Sequence, residues 1–348
     1  MNTRDLADPN AFCASTSHCL QPSPNSPMGM STAVMPRTSS ANPSIGPELQ
    51  VSTSSVRCAA TQPEGQPSIP VHVAGMCPAC QYLVVMPEGN VIHFHARKLS
   101  RAFRHTAVAV DSPQGRFADG AARVDGCTLV RTEAYGKHLF LEFGPQSWVH
   151  VHLGLFGKWR FGTQGLIRMR LRNDKGYAEL RGPTACAVLD GAEMQTQVNR
   201  IGPDPIRKDS DPERAWVRLQ RSDAPIAAAL MDQRTFAGVG NIYRAEVLFR
   251  HDISPFRTSR SITRDEFDAM WQDLVGLMTA GTKRGRIDTV RAEHLPEVMG
   301  REARKDRHGG EVYVYRRAGQ KCLLCGTPVE MMDLQGRKLY WCPSCQRG

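Results

Sequence analysis

Long apolar runs are missing from this chain: no stretch of its 348 residues approaches the roughly eighteen apolar residues that a membrane-crossing helix needs. The first twenty residues also lack the basic segment and apolar core of a secretory signal, so a cytosolic location is expected. No internal repeat is visible, which argues against a repeat architecture. Residues 1–85 lack apolar periodicity up to about Val71 and are rich in Ser, Thr and Pro, holding eleven of the 23 prolines. Such a stretch cannot bury a core and is expected to be disordered. Acidic charge is also in deficit. The net charge is +10, yet residues 1–85 carry three Arg and four acidic residues, so 41 basic and 30 acidic residues leave +11 on the remainder. A basic folded part favours a polyanionic partner, most commonly nucleic acid.

What remains is globular in texture, 41% hydrophobic and long enough for two or three domains. From Met86 the apolar residues Val91, Ile92, Phe94, Leu99 and Phe103 fit one amphipathic helix over 90–104. Short alternating runs follow at 106–110, 128–135, 137–143, 148–153, 167–171 and 177–180, separated by Gly, Pro and Asp. That pattern predicts an antiparallel β-sandwich. Beyond about Gly202 the character turns helical. Asp211-Pro-Glu-Arg reads as a helix start, with Asp as cap and Pro in the first turn. Helices are expected over 224–232 and 241–249, on either side of a glycine-rich turn. Another opens at Thr263, with Glu266 in capping-box register, and runs to about Ala280 before Gly281. Residues 283–311 read as a charged linker and 311–315 as a strand. The predicted fold is therefore α+β: an N-terminal antiparallel β-sandwich with a helix over 86–205, a helical region over 206–300, and a linker with a terminal cysteine module over 301–348.

The eleven cysteines are not evenly used. Cys322-Leu-Leu-Cys325 and Cys342-Pro-Ser-Cys345 are two CxxC pairs with sixteen residues between them. In a cytosolic chain such pairs indicate metal rather than disulfides. Each tight turn offers two thiolates, and four thiolates satisfy tetrahedral Zn²⁺ with no position left for water, so one structural zinc is expected. The spacer suits one β-hairpin, with Gly336 and Arg337 at its tip. Arg337 and Lys338 there either grip a phosphate or lie in a solvated turn. A lone Cys77-Pro-Ala-Cys80 has no partner pair and is read as accidental. Cys127 and Cys186 stand singly in segments expected to be core.

The second feature is Thr235-Phe-Ala-Gly238-Val-Gly240-Asn241-Ile-Tyr243, between two helical stretches. Glycines let backbone approach a ligand. Asn241 is placed to cap the next helix, whose free N–H groups attract an anion such as phosphate. A plain helix–turn–helix connection accounts for the same residues.

Taken together, the strings resemble one family. They are Met86-Pro-Glu-Gly89, Tyr135-Gly-Lys137-His-Leu139, Val151-His-Leu-Gly154-Leu155, Arg181-Gly-Pro-Thr184, Ile201-Gly-Pro-Asp-Pro205, Leu230-Met-Asp-Gln233, Ala237-Gly-Val-Gly-Asn-Ile-Tyr243, Tyr315-Arg-Arg-Ala-Gly319 and the terminal Cys342-Pro-Ser-Cys-Gln-Arg347. In these, over 86–348 and in order, the chain is similar to the formamidopyrimidine-DNA glycosylase and endonuclease VIII family. The resemblance implies a β-sandwich, a helix–two-turn–helix domain and a zinc ribbon. It also implies a bifunctional DNA glycosylase and abasic-site lyase of base excision repair, acting on damaged double-stranded DNA as a monomer. No nucleotide cofactor and no membrane partner are implied, and the location is cytoplasmic, on the nucleoid.

By the same resemblance Pro87, exposed once Met86 is removed, is the nucleophile that attacks C1′, and Glu88 is the general acid/base. Lys137 contacts phosphate beside the lesion, Asn241 and Arg337 are the phosphate clamps of the helical domain and the ribbon, Gly240 and Lys338 are further DNA-binding residues, and Leu155-Phe156 fills the gap left by a flipped base. Pro87 is internal as long as residues 1–85 precede it. Either Met86 is the true initiator, or the extension is cleaved, or the protein is an inactive DNA binder; the first is the expectation. Many relatives carry another acid soon after the Gly, whereas here none follows Glu88 until Asp111. Gly89 and the early histidines His93 and His95 lean toward the endonuclease VIII branch and oxidised pyrimidines, with oxidised purines as the alternative.

Overall fold

Why a helix begins at once after Pro87 is visible in its spacing. Ile92, Ala96, Leu99 and Phe103 recur on one face and are buried, and α1 (Gly89–Phe103) lays that face on the sandwich. The computed structural model describes residues 87–144, 146–160, 166–306 and 310–347, all within one compact unit. The expectations for residues 1–85, Cys77-Pro-Ala-Cys80 included, lie outside the described residues.

Two four-stranded sheets follow: β1 (Ala109–Asp111), β6 (Met169–Asn173), β7 (Gly176–Arg181) and β5 (Lys158–Arg160) in one, and β2 (Leu129–Tyr135), β3 (His138–Phe143), β4 (Ser147–His152) and β8 (Ala185–Leu189) in the other. Every pairing is antiparallel. Period-two alternation sends Leu139, Leu141, Phe143, Val149 and Val151 into the shared core with Leu171, Leu180 and α1. It leaves His138, Phe140, His150 and His152 on the opposite face. Within the sandwich region two helices fall outside the expected set: α2 (Ala118–Val124) and α3 (Gly191–Asn199). The second carries a legible signal, the Asp190/Glu193 capping box.

The helical region comprises α4 (Glu213–Gln220), α5 (Ile226–Ala229), α6 (Asn241–Arg250) and α7 (Arg264–Arg284), followed by the single-turn α8 (Pro296–Met299). Asp211 does serve the start of α4, its Oδ1 accepting from the Glu213 N–H at 3.0 Å, while Pro212 holds the cap position. The helix expected over 224–232 is one turn only. After it, Asp232 accepts from the Arg234 N–H and the Thr235 hydroxyl, and Gln233 bonds Gly238 N–H and the Val239 carbonyl. Side chains there take over the backbone groups that a longer helix needs. The Thr263/Glu266 capping box opens α7 as expected. Gly281 does not end it: a Cβ there would stand 2.5 Å from the Tyr243 hydroxyl, so this glycine admits a neighbouring side chain, and the helix stops at Gly285 with φ 70°.

Residues 311–315 are not a strand. The N–H groups of Tyr313, Val314 and Tyr315 all donate to the buried Glu246 carboxylate of α6, at 2.7, 2.9 and 2.8 Å, so no ladder is left for them to join. The terminal hairpin is β9 (Glu330–Leu334) with β10 (Arg337–Trp341). Its tip is Gln335-Gly336, both at positive φ (51° and 71°) as a two-residue type I′ turn requires, and Arg337 is the first residue of the return strand.

Candidate active site

Glu88 is the N-cap of α1, but its side chain caps a different helix. Its carboxylate accepts from the N–H groups of Gly240 (3.1 Å), Ile242 (2.7 Å) and Tyr243 (3.3 Å) at the start of α6. The anion expected at that helix terminus is therefore the chain's own carboxylate. The cap position of α6 belongs to Gly240, not to Asn241. A Cβ on Gly240 would fall 2.5 Å from the Glu88 carboxyl carbon, so only glycine lets the acid seat there. Nearby, the Gly89 N–H donates to the Gly238 carbonyl (2.8 Å), and a Cβ on Gly136 would lie 2.9 Å from the Gly238 nitrogen. Three segments thus meet backbone to backbone.

Lys137 follows Gly136 in the β2–β3 turn. That turn is held by Asp204, which accepts from the Gly136 N–H (2.7 Å), from Ile206 N–H (2.9 Å) and from His93 Nε2 (2.8 Å). Burial pushes the Glu88 carboxyl up from its ordinary pKa, against the pull of Lys137 and the three N–H groups. Burial pulls the Lys137 ammonium down, against Glu88 and with the help of Arg337 and Arg244. An acid inclined to hold its proton thus faces an amine inclined to lose one.

Pro87, Glu88, Lys137, Leu155, Gly240, Asn241 and Arg337 line one cavity of about 130 Å³, together with Ile92, His152, Leu153, Gly154 and Met231. Phe156 and Lys338 stand beside it: Phe156 is 71% exposed next to Leu155, and the Lys338 carbonyl accepts from Asn241 Nδ2 at 2.9 Å. His152 and Met231 sit within recognised strings but carry no residue-level signal of a pocket, and Ile92 reads only as helix core. Behind His152 lie two more imidazoles. His138 Nδ1 and His150 Nε2 are 2.9 Å apart, and the His138 and His152 ring centroids 4.7 Å apart. The loop bearing Leu155 and Phe156 closes through the Gly157 N–H to the Leu153 carbonyl, and Thr184 fills the space a Cβ on Gly154 would need.

The four terminal cysteines converge, all sulfurs lying within 4.8 Å of one another. The Cys322–Cys345 and Cys325–Cys342 sulfurs are 3.9 and 3.4 Å apart. Zn–S bonds of about 2.3 Å in a tetrahedron imply about 3.8 Å between sulfurs, so this donor set fits zinc. Gln346 ties the module down, accepting from Cys342 N–H and donating to the Ile253 carbonyl.

Three family profiles match the chain: the formamidopyrimidine-DNA glycosylase N-terminal domain over 86–239, the formamidopyrimidine-DNA glycosylase H2TH domain over 201–292, and the zinc finger found in FPG and IleRS over 319–348. Endonuclease 8 1 of Mycobacterium tuberculosis (strain ATCC 25618 / H37Rv) is 46% identical over 274 residues, covering 75% of this chain and all of the relative. A formamidopyrimidine-DNA glycosylase of Synechocystis sp. is 30% identical over 247 residues, covering 66% of this chain and 84% of the relative. The crystal structure of the MutM (Fpg) protein from Thermus thermophilus superimposes with a TM-score of 0.61 at 25% identity over 75% of this chain and 98% of that one. A Lactococcus lactis Fpg in complex with abasic-site DNA shares the fold at TM-score 0.61 and 19% identity, over 75% of this chain and all of that one.

Proposed function

Because this chain belongs to the formamidopyrimidine-DNA glycosylase and endonuclease 8 family of DNA glycosylases, we propose that it removes oxidised pyrimidines from duplex DNA and cleaves the resulting abasic site through a Schiff base on Pro87. The observation that carries the reading is the cavity that gathers Pro87, Glu88, Lys137, Asn241 and Arg337 from separate segments of the chain.

The Pro87 nitrogen attacks C1′ of the flipped nucleotide, and the glycosidic bond electrons leave with the base. Glu88, its pKa raised by burial, protonates the ring oxygen as the sugar opens. An α-amine titrates near 8 against about 10.4 for a lysine, so far more of it is unprotonated at neutral pH. A secondary amine forms an iminium that is cationic without further protonation, an electron sink for loss of the 3′ and then the 5′ phosphate. Lys137, Arg337 and Asn241 hold phosphates, and Leu155 and Phe156 fill the vacated stack. The zinc ribbon carries Arg337 to the cavity and takes no part in bond breaking.

The nucleophile must be a free amine, which requires a chain starting at Pro87. The family match beginning at residue 86 supports that start. We assign 86–205 to the catalytic sandwich, 206–300 to the helix–two-turn–helix domain and 301–348 to linker and ribbon, acting as a monomer on DNA without a nucleotide cofactor. Relatedness to endonuclease 8 at 46% identity favours pyrimidine lesions. Protein starting at Pro87 is to be assayed on duplexes carrying thymine glycol, 5-hydroxyuracil or 8-oxoguanine. The pyrimidine lesions should be released at least tenfold faster; preferential release of 8-oxoguanine opposite cytosine would overturn the assignment.

A further inference from the structure

Among the described residues, the largest fully buried side chains include a cation. Arg244, on α6, is 1% exposed. Its hydrogen-bond partners are neutral: it donates to Asn241 Oδ1 and, at 3.1 Å, to the Lys338 carbonyl. Its Nε has no partner among the described residues. Taking an ion out of water with only neutral hydrogen-bond partners is costly, so an apolar residue would serve the core better. A charge kept in place at such cost points to function.

Two things follow from where it stands. The first concerns Asn241, three residues earlier on the same helix and in the cavity wall. An amide has an acceptor end and a donor end, and a guanidinium only donates. Arg244 therefore compels the Asn241 oxygen to face it and turns Nδ2 the other way. One Nδ2 hydrogen goes to the Lys338 carbonyl at 2.9 Å, and the second is left for the cavity. The second concerns charge. The groups around Arg244 are Glu88 from the start of α1, Lys137 from the β2–β3 turn, Arg337 from β10 and Tyr315 from the segment before the ribbon. Ionised together or neutral together, Glu88 and Lys137 offset each other, and Arg244 and Arg337 leave the surroundings of the cavity positive, an arrangement that an arriving phosphate relieves. Burial pulls the Arg244 pKa down to about 10, with Glu88 opposing and Arg337 assisting, so the charge persists at neutral pH.

We propose that Arg244 is a positioning residue for DNA recognition: it orients the Asn241 amide so that a donor faces the incoming phosphate, and it supplies a buried positive charge behind that contact. The inference rests on the reading above that Asn241 meets a DNA phosphate, and the test separates the two.

Binding of the full chain to a duplex holding one tetrahydrofuran abasic analogue is measured for wild type, Asn241→Ala, Arg244→Met and the double variant. Zinc content and circular dichroism establish folding, and Arg244→Gln takes the place of Arg244→Met if the latter does not fold. Each single change should weaken binding about tenfold, as for a lost hydrogen bond to a charged group. The double variant should be within about twofold of either, because both changes remove one contact. Replacing the flanking phosphates one at a time by neutral methylphosphonates should find one position where wild type loses the same factor and the Arg244 variant loses nothing. Unchanged binding by the Arg244 variant beside weak binding by Asn241→Ala would overturn the inference and leave the phosphate reading standing. So would losses that multiply to about a hundredfold. Full-strength binding by Asn241→Ala would sink both.

Discussion

At the scale of single residues, the imidazoles behind the cavity make the protein sensitive to acid. Burial, with His152 and His150 beside it, holds His138 down at about 3, and burial with His152 holds His150 down at about 4. An unfolded histidine titrates near 6.5. Both groups are therefore lowered in the folded state, and the stability tied to their neutral forms is whole above about 6.5 and is lost as pH falls toward the folded values. Each contributes a slope of up to about 1.4 kcal/mol per pH unit in that window. His150→Gln keeps a polar group opposite His138 and removes one titration. Urea denaturation at pH 7.0, 5.5 and 4.5 should show a flatter acid limb for the variant; parallel curves would mean that His150 does not stay neutral in the fold. The residues proposed for the site were legible as strings, and Pro87, Glu88, Lys137, Asn241 and Arg337 all line one cavity. What Glu88 binds was not. Its partners are 152 to 155 positions away, and no local pattern distinguishes a helix start that awaits phosphate from one already holding a carboxylate.

Elements were readable where their signals are local. The α1 periodicity, the alternation of β3 and β4 and the Thr263/Glu266 box each act within a few residues, and each formed. Two expectations failed because distant partners decided them. Residues 311–315 have strand-like composition, but Glu246 takes their N–H groups. Gly281 looks like a stop signal, but Tyr243 occupies the space beside it. The second case separates propensity from packing. Alanine in place of a helix-interior glycine favours the helix by about 1 kcal/mol. Overpacking a buried contact costs about 1–3 kcal/mol, and Tyr243 is fully buried with its ring fixed in the core. Gly281→Ala should thus lower the thermal midpoint. A rise on calorimetry would show that the Tyr243 hydroxyl moves aside freely.

Over the whole molecule, α6 joins three parts. Its N-terminus holds Glu88, Asn241 and Arg244 hold the Lys338 carbonyl in the ribbon, and Glu246 holds the segment leading to that ribbon. Zinc therefore fixes more than a terminal knob: it shapes the hairpin that carries Arg337 into the cavity. The CxxC spacing made the metal legible, whereas the fastening to α6 depends on side chains that no spacing predicts. Chelation, or Cys342→Ser, should release the metal and weaken binding to abasic-analogue DNA at least tenfold. It should also lower the slope of log affinity against log salt, since a phosphate contact is lost. Unchanged affinity and slope in zinc-free protein would detach the ribbon from DNA binding.

The most direct measurement traps the covalent intermediate and finds the atom that holds it. Protein starting at Pro87 is mixed with an abasic duplex and borohydride, digested, and the cross-linked peptide sequenced by mass spectrometry. The adduct should lie on the Pro87 nitrogen, and the chain with residues 1–86 attached should give none, because an acylated proline nitrogen has no lone pair to offer. An adduct on Lys137, or equal trapping by the extended chain, would contradict the mechanism.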